Sequence, residues 1–315
     1  MIVNYNGWAD VGRLVDVLIS DPEVVSGRCE IVVVDNASDQ PPPSSMTTKG
    51  DGLRLIVRPD NGGFAAGVNA GWRAARGRWL LLLNFDVELG PSFLTKALKR
   101  VEFHDGRPHG APGIVGLGLC DPDGSPQPSV GEFPNLPRAL WGPFRPRHRR
   151  MYRRAKPGPV PWVTGACMLV RSDLLAALGG MDEDFFLYYE EVALCRSAQD
   201  RGWPVAFDPS VEVVHLRPLQ SRALSPRMRV ITRHSKLLYF HKHLPRWQFW
   251  GLALVVACEA ALRGAWSRFW GNTEAERSWK AIGAMVKAWR RTGQPPLKGP
   301  EARELADSVR VRGAA

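Results

Sequence analysis

Residues 61–86 read NGGFAAGVNAGWRAARGRWLLLLNFD. Asn61, Gly62 and Gly63 form a turn signal, because glycine reaches backbone angles closed to other residues. The run 65–75 favours a helix, and Gly77 stands where a helix stops. Residues 79–83 are apolar without interruption, too few for a helix and right for a strand buried on both faces. The order loop, helix, strand ends on Asn84, Phe85 and Asp86, at the C-terminal edge where open α/β sheets bind ligands. A carboxylate there can hold a hard divalent cation, which in turn can hold a diphosphate. An ordinary turn aspartate closing a core strand would give the same tripeptide.

Working outward, residues 1–7 (MIVNYNG) are half a strand running into a polar turn, and Leu14, Val17 and Leu18 follow at helical spacing. Residues 31–34 are a second buried strand, ending in Asp35, Asn36, Ala37 and Ser38. Strand–turn units repeated ahead of residue 61 make a βαβ pattern with ligand-facing groups at each strand end. Downstream, 92–101 reads as an amphipathic helix and 114–117 as a strand. Residues 121–161 are rich in Pro, Gly and Arg, with Phe133, Trp141, Phe144 and Tyr152 between them. That length exceeds a plain connection and predicts a functional or partly disordered loop. Residues 162–170 (WVTGACMLV) read as one strand, and 187–196 open a helix that Gly202 ends. Residues 211–215 are a strand closing on His215. Glu190 and Glu191 fall in the helix's first turn, where carboxylates interact favourably with the helix dipole. That role alone would account for them.

Charge is spread unevenly along the 315 residues, whose net charge is +11. Residues 217–315 hold 19 Lys/Arg against 6 Asp/Glu, and residues 1–216 hold 23 against 25. Eight of those 23 basic residues, and no acidic one, lie in 138–156. A nearly neutral body therefore carries a basic loop and a basic tail. Nucleic acid would suit such a tail, as would an anionic membrane surface or plain solvation. The chain carries no recognisable DNA- or RNA-binding motif, so no nucleic-acid partner is expected. Cys29, Cys120, Cys167, Cys195 and Cys258 are scattered, odd in number and without a CxxC pair. They point to a reducing compartment rather than a disulfide framework. No basic segment precedes an apolar stretch at the N-terminus, so no signal peptide is expected.

Four stretches taken in order, IVNYNG (2–7), VVVDNAS (32–38), NGGFAAGVNAG (61–71) and LLLLNFD (80–86), resemble the family 2 glycosyltransferases of the GT-A fold. The resemblance covers residues 1–220 and lies nearest the rhamnosyltransferase-like group of bacterial cell-surface polysaccharide assembly. It implies an α/β fold with a mostly parallel central sheet flanked by helices. The family carries a few more strand residues before the Asn-Tyr-Asn turn, so a start upstream is expected. By the resemblance, a nucleotide-diphosphate sugar lies across the strand ends. Asp35 and the backbone around Asn4 hold base and ribose, with Asn6, Asn36 and Ser38 beside them. Asn61, Gly63, Asn69 and Asn84 line the donor cleft, and Gly165 and Ala166 leave room for the sugar. Asp86 holds Mn2+ or Mg2+, His215 completes its coordination, and Ser221 matches a downstream Ser of the family. The Arg-rich loop would face an acceptor bearing phosphate. The family pattern Glu-Asp-x-Asp-Leu-Cys places the catalytic base after the first Glu, which here is Glu191. Ala193 stands where the second Asp would be. Those two departures also admit a degenerate GT-A domain that binds nucleotide sugar without transferring it.

Beyond residue 225 the sequence changes character. Residues 227–243 form a basic helical stretch. Residues 247–270 are apolar but interrupted by Glu259, Arg263 and Arg268, and the uncharged run 247–258 has 12 residues. A spanning helix needs ~20. Trp and Phe flank the run and Lys/Arg lie on both sides, the composition of a helix in the membrane interface. A helix packed on the catalytic domain fits the same residues. Residues 279–291 read as a further basic helix and 294–315 as a mobile tail. The expected organisation is thus a GT-A domain over 1–224, a basic membrane-associating helical region over 225–292 and a tail over 293–315. The whole implies an inverting, metal-dependent transferase at the cytoplasmic face of the membrane. It would pass a sugar, with rhamnose a candidate, to a glycan or polyprenyl-diphosphate-linked acceptor.

Overall fold

The computed structural model describes residues 1–47, 52–106, 110–141, 156–217, 224–295 and 297–309. The chain begins β1 (Ile2–Asn4), α1 (Trp8–Ile19), α2 (Pro22–Val25), β2 (Ile31–Asp35), α3 (Ser44–Thr47), β3 (Leu53–Val57), α4 (Phe64–Ala74) and β4 (Trp79–Leu83). It continues through β5 (Val87–Leu89), α5 (Phe93–Asp105), β6 (Ile114–Cys120), β7 (Val130–Gly131), α6 (Leu136–Trp141), β8 (Gly158–Pro159) and β9 (Trp162–Val163). Then come β10 (Cys167–Arg171), α7 (Ser172–Leu178), α8 (Glu190–Asp200) and β11 (Val205–His215). Four helices close the chain: α9 (Pro226–His243), α10 (Arg246–Phe269), α11 (Thr273–Thr292) and α12 (Gly299–Asp307). Two compact units result. The first comprises Met1–Phe133, Pro146–Met181 and Leu194–Pro218; the second comprises Pro134–Arg145, Asp182–Ala193 and Leu219–Ala315.

The first unit is built on a sheet of order β3-β2-β1-β4-β10-β6-β11-β5, with β8 on β11. β3, β2, β1 and β4 run parallel, as do β6 and β11, while β10 and β5 run against their neighbours. The mostly parallel sheet expected from the motifs is observed. Successive side chains of a strand face opposite ways, and both faces here are apolar. Ile2, Val33 and Leu83 join Val11, Leu14 and Leu18 of α1 in one core. Val3, Leu80 and Leu82 join Ala65 and Val68 of α4 in the other. Covering helices on both faces explain the uninterrupted apolar runs at 31–34 and 79–83.

The stretch 162–170 is not one strand. β9 pairs with β7 in a separate two-stranded sheet, and β10 enters the main sheet between β4 and β6. The chain turns between them at Gly165 and Ala166, and the Thr164 N–H donates to the Ser129 carbonyl at 2.9 Å. β11 is longer than expected and carries an irregularity between Asp208 and Glu212. All five cysteines are free.

In the second unit the basic helix expected at 279–291 begins at Thr273, because the Asn272 side chain accepts from the Ala275 N–H at 3.0 Å. Trp289 of α11, Tyr239 and Phe240 of α9 and Phe185 ahead of α8 are its largest fully buried side chains. The segment read as a tail contains α12. Pro300 stands in its first turn, the Lys298 N–H donates to Glu301 at 2.7 Å, and Ala302 and Ala306 are buried. Small alanines can bury a helix face without the large apolar pattern that marks one in sequence. Ser221, Phe144, Tyr152 and most of the basic stretch 138–156 lie outside the described residues.

Candidate active site

In the first unit the polar residues predicted at strand ends come together. β1 pairs with β2 so that Asn4 stands opposite Asp35, and both are buried. One Asp35 carboxylate oxygen accepts from Asn4 Nδ2 at 2.8 Å and from the Ser38 hydroxyl at 2.5 Å, and the other accepts from the Ser38 N–H at 3.1 Å. The Asn6 N–H donates to the Ser38 hydroxyl at 2.8 Å, and the Asn6 amide exchanges two hydrogen bonds with Asp39. These bonds lock the β1 and β2 loops to each other. The Asn4 carbonyl of the side chain also receives the Gly7 N–H at 2.9 Å. A side chain at Gly7 would meet the Phe85 ring at 2.8 Å, so the glycine lets the Asn84-Phe85-Asp86 turn close over this loop.

Asn36 donates from Nδ2 to the Gly63 carbonyl at 2.8 Å, and its buried Oδ1 has no hydrogen-bond partner. An orphaned buried acceptor is costly and points to a missing donor group. Asn61 Oδ1 receives the Gly63 N–H at 3.1 Å, shaping the turn ahead of α4. Asn69 does different work from the role expected of it. Its amide is occupied by both backbone groups of Met181, at 2.8 and 2.7 Å, so it braces the 179–181 loop rather than lining a cleft. Gly180, at φ +101, lies so near that an added Cβ would stand 2.6 Å from Asn69 Oδ1. The Asn84 N–H donates to the Ala166 carbonyl at 2.9 Å, which brings the 165–166 turn to the end of β4.

Asp86 and His215 meet across β5 and β11, with His215 Nε2 at 3.4 Å from Asp86 Oδ1. Gln127, which the sequence did not mark, sets the ring. Its Nε2 donates to Asp121 Oδ1 at 2.7 Å and to the His215 carbonyl at 3.2 Å, so its Oε1 faces His215 Nδ1 at 2.8 Å. Nδ1 therefore carries hydrogen, and Nε2 faces Asp86, where either a proton or a cation can sit between the two. Arg217, also unmarked, lies 3.8 Å from Asp86 Oδ2 and pairs with Asp10. Burial alone would raise the Asp86 carboxyl, but hydrogen bonding and charge from His215, with Arg217, bring it below its ordinary value. An ionised oxygen facing an imidazole nitrogen fits a hard divalent cation. Two neighbouring ligands at ~2.1 Å from one ion stand about 3 Å apart. No group of three or more His, Cys, Asp or Glu placed to hold a metal ion exists among the described residues. A cation held here would draw two ligands from the protein and the rest from phosphate oxygens and water.

In the second unit, α8 begins at Glu190 rather than at 187. Tyr188 and Tyr189 precede it at φ +67 and +71, the left-handed region that costs a tyrosine of order 1 kcal/mol or more. The surrounding segment is pinned: the Ser235 hydroxyl donates to the Leu187 carbonyl at 2.8 Å, and Lys242 bonds Asp182 and Asp184, both at 2.6 Å. Glu190 is buried and Glu191 partly so, and Oε2 of each is buried without a hydrogen-bond partner. Burial pushes the Glu191 carboxyl up to about 7, against hydrogen bonds from nearby backbone N–H groups. Burial and the neighbouring Glu191 raise Glu190 well above its ordinary value. One carboxyl of the pair is thus poised to exchange a proton near neutrality. Ala193 is buried one turn into the helix.

Residues 1–179 match the family model for glycosyl transferase family 2. The N-acetylglucosaminyl-diphospho-decaprenol L-rhamnosyltransferase of Mycobacterium tuberculosis is 30% identical over 231 residues, which cover 67% of this chain and 73% of that protein. The low-salt glycan biosynthesis hexosyltransferase Agl10 of Haloferax volcanii is 24% identical over 272 residues, 82% of this chain and 81% of that one. Among solved structures, GalNAc-T7 with UDP, GalNAc and Mn2+ aligns at TM-score 0.51 and 15% identity, covering 76% of this chain and 50% of that chain. Staphylococcus aureus TarS aligns at TM-score 0.50 and 13% identity, covering 98% and 54%. These likenesses show the shared GT-A fold. The family model over residues 1–179 and the relative at 30% identity agree with the strand-end motifs, and the chain belongs to glycosyl transferase family 2.

Proposed function

We propose that this glycosyltransferase moves L-rhamnose from a nucleotide-diphosphate donor to a polyprenyl-diphosphate-linked glycan in cell-envelope polysaccharide synthesis. The sugar and acceptor are suggested by the M. tuberculosis relative. The observation that carries the donor half of the reading is the Asp86–His215 pair, with Gln127 holding the ring so that Nε2 faces the carboxylate. Asp86 and His215 would hold Mn2+ or Mg2+, which when bound would neutralise charge gathering on the leaving diphosphate. Asp35 and Asn36, with the backbone near Asn4, would orient the nucleoside. Glu191 would take the proton of an acceptor hydroxyl as its oxygen bonds to the anomeric carbon. The bond from that carbon to the diphosphate oxygen breaks in the same step, the nucleoside diphosphate leaves, and the anomeric configuration inverts. Glu190, whose carboxyl is raised by burial and by its neighbour, would support the charge change at Glu191. The reaction would take place at the cytoplasmic face of the membrane.

The test is incubation of the full chain with Mn2+ and a panel of nucleotide sugars, followed by assay of hydrolysis and of transfer to N-acetylglucosaminyl-diphospho-polyprenol. Transfer from nucleotide-diphosphate rhamnose supports the reading. Transfer from another sugar only would replace the donor. Nucleotide-sugar binding without turnover of any donor would favour a degenerate domain, the reading that Glu191 and the buried Ala193 motivate.

A further inference from the structure

Helix α10 is apolar on the side that faces away from its own fold. Its buried face, Phe249, Leu252, Ala253, Val256 and Ala260, serves the helical unit, where α10 packs against α9 and α11. On the opposite side Trp247, Leu254, Leu262, Trp266 and Phe269 are 63%, 62%, 73%, 65% and 78% exposed. At 3.6 residues per turn these five fall within a sector of roughly 120° and run about 33 Å along the axis. No charged residue falls in that sector. An ordinary surface helix turns polar residues outward, and a contiguous apolar strip of this length marks an interaction surface.

By length and composition α10 could cross a bilayer. Its sides argue otherwise. Glu259 is paired with Arg233 of α9 at 2.8 Å and with Arg263 at 3.2 Å, and the face of α10 between these charges and Arg246 is packed on its neighbours. Such a helix can only lie along a membrane, with one strip immersed. The charge around it selects the partner. Arg246 and Arg268 border the strip on one side and Arg263 lies beyond Glu259 on the other. On α11 the exposed Arg277, Lys280, Lys287 and Arg291 follow one another at helical spacing along a single stripe. A second copy of this chain would set basic rims against basic rims. An anionic lipid surface would pair with them, and Trp247 at one end with Trp266 and Trp270 at the other suits the headgroup level.

We infer that the exposed strip of α10 docks the protein in the plane of an anionic bilayer, immersing Leu254, Leu262, Trp266 and Phe269 while the flanking arginines meet lipid headgroups. Flotation of the full chain with vesicles of phosphatidylcholine, with and without phosphatidylglycerol, tests this. The vesicles contain no glycan lipid, so the result is independent of the acceptor. Binding should be ~10-fold or more stronger with phosphatidylglycerol and should fall as salt rises. The double variant Leu262→Glu/Trp266→Glu alters only exposed positions, should keep its circular dichroism and melting temperature, and should lose binding ~10-fold or more. Equal flotation of variant and native protein would overturn the inference. So would retention on vesicles after alkaline carbonate, which indicates a spanning helix. A dimer abolished by the double variant, with no vesicle binding, would assign the strip to a second copy instead.

Discussion

At the scale of single residues, the proposed cation site depends on a residue that touches neither donor nor cation. Gln127 fixes the hydrogen on His215 Nδ1 and so keeps Nε2 free for coordination. Outer partners of this kind are commonly worth ~10–100-fold in metal affinity. Gln127→Leu should therefore weaken Mn2+ binding by about that factor while leaving metal-free nucleotide binding unchanged; Mn2+ titration by paramagnetic resonance reads it, and an unchanged affinity would remove Gln127 from the site. Glu191 makes the sharper case. Because burial pushes its carboxyl up to about 7, kcat/KM should rise with pH through that region as base forms, with an apparent value belonging to the Glu190–Glu191 pair. Glu191→Gln should cut transfer ~10²-fold or more and flatten that limb, with donor binding intact. Glu191→Asp reports whether the site is built around the longer arm, since a displacement of ~1 Å can cost ~10²-fold. Near-native transfer by Glu191→Gln with an inactive Glu190→Gln would move the base by one residue. Asp86, His215 and Asp35 were legible in the sequence because each ends an apolar run. Gln127 and Arg217 were not: one sits in a Pro- and Gly-rich stretch, the other just past a strand, and only the pairing of β11 with β6 and with β5 brings the first to His215 and the second to Asp86. The left-handed Tyr188 and Tyr189 were illegible too, since a non-glycine residue at positive φ has no sequence mark.

At the scale of elements, apolar runs named β1, β2 and β4 of the parallel half, because covered faces demand uninterrupted Val, Ile and Leu; β3, the half-exposed edge strand, was missed. They failed at 162–170, where the run is equally apolar but Gly165 and Ala166 let the chain leave one sheet for another. α12 escaped for the opposite reason, having little apolar bulk to show. Its connection to α9 carries a testable pH dependence. His234 is buried beside Trp289, its Nε2 donates to the Leu297 carbonyl at 3.1 Å, and its Nδ1 has no partner. Burial lowers its pKa to about 4. Between the unfolded value near 6.5 and that of the fold, only the unfolded chain takes the proton, so this group's contribution to stability falls as pH drops through that window. Glu191 acts in the reverse sense: the folded chain holds its proton, so its contribution is lost as pH rises from about 4.5 through 7. Comparing variants isolates the histidine. Urea unfolding of His234→Gln at pH 6.5 and 4.5 should show a slope shallower than the native by ~1 kcal/mol per pH unit. Identical slopes would mean the ring is wet or charged in the fold.

At the scale of the whole molecule, the chain divides into a nearly neutral unit with the strand-end site and a basic one with the carboxyl pair. That division was partly legible as a jump in charge near residue 217. The transfer of 182–193 to the second unit was not, since it rests on Ser235 and Lys242 reaching back some fifty residues. If Asp86 and His215 jointly hold a cation and a diphosphate, nucleoside diphosphate with Mn2+ binds the native first unit and not its unfolded chain. At a ligand concentration ~100 times Kd, this linkage adds ~2.7 kcal/mol. For a unit of this size that is a rise in Tm of roughly 5–10 °C. Calorimetry should therefore show the melting transition moving up with nucleoside diphosphate and Mn2+ together. Nucleotide without Mn2+ should give a smaller shift, and Mn2+ alone less again. Asp86→Ala removes the carboxylate and the charge that His215 and Arg217 face, so it should abolish the Mn2+-dependent part of the shift and leave the nucleotide-only part. A variant that keeps the full shift would show that the diphosphate is held without Asp86, by cationic side chains such as Arg217 alone.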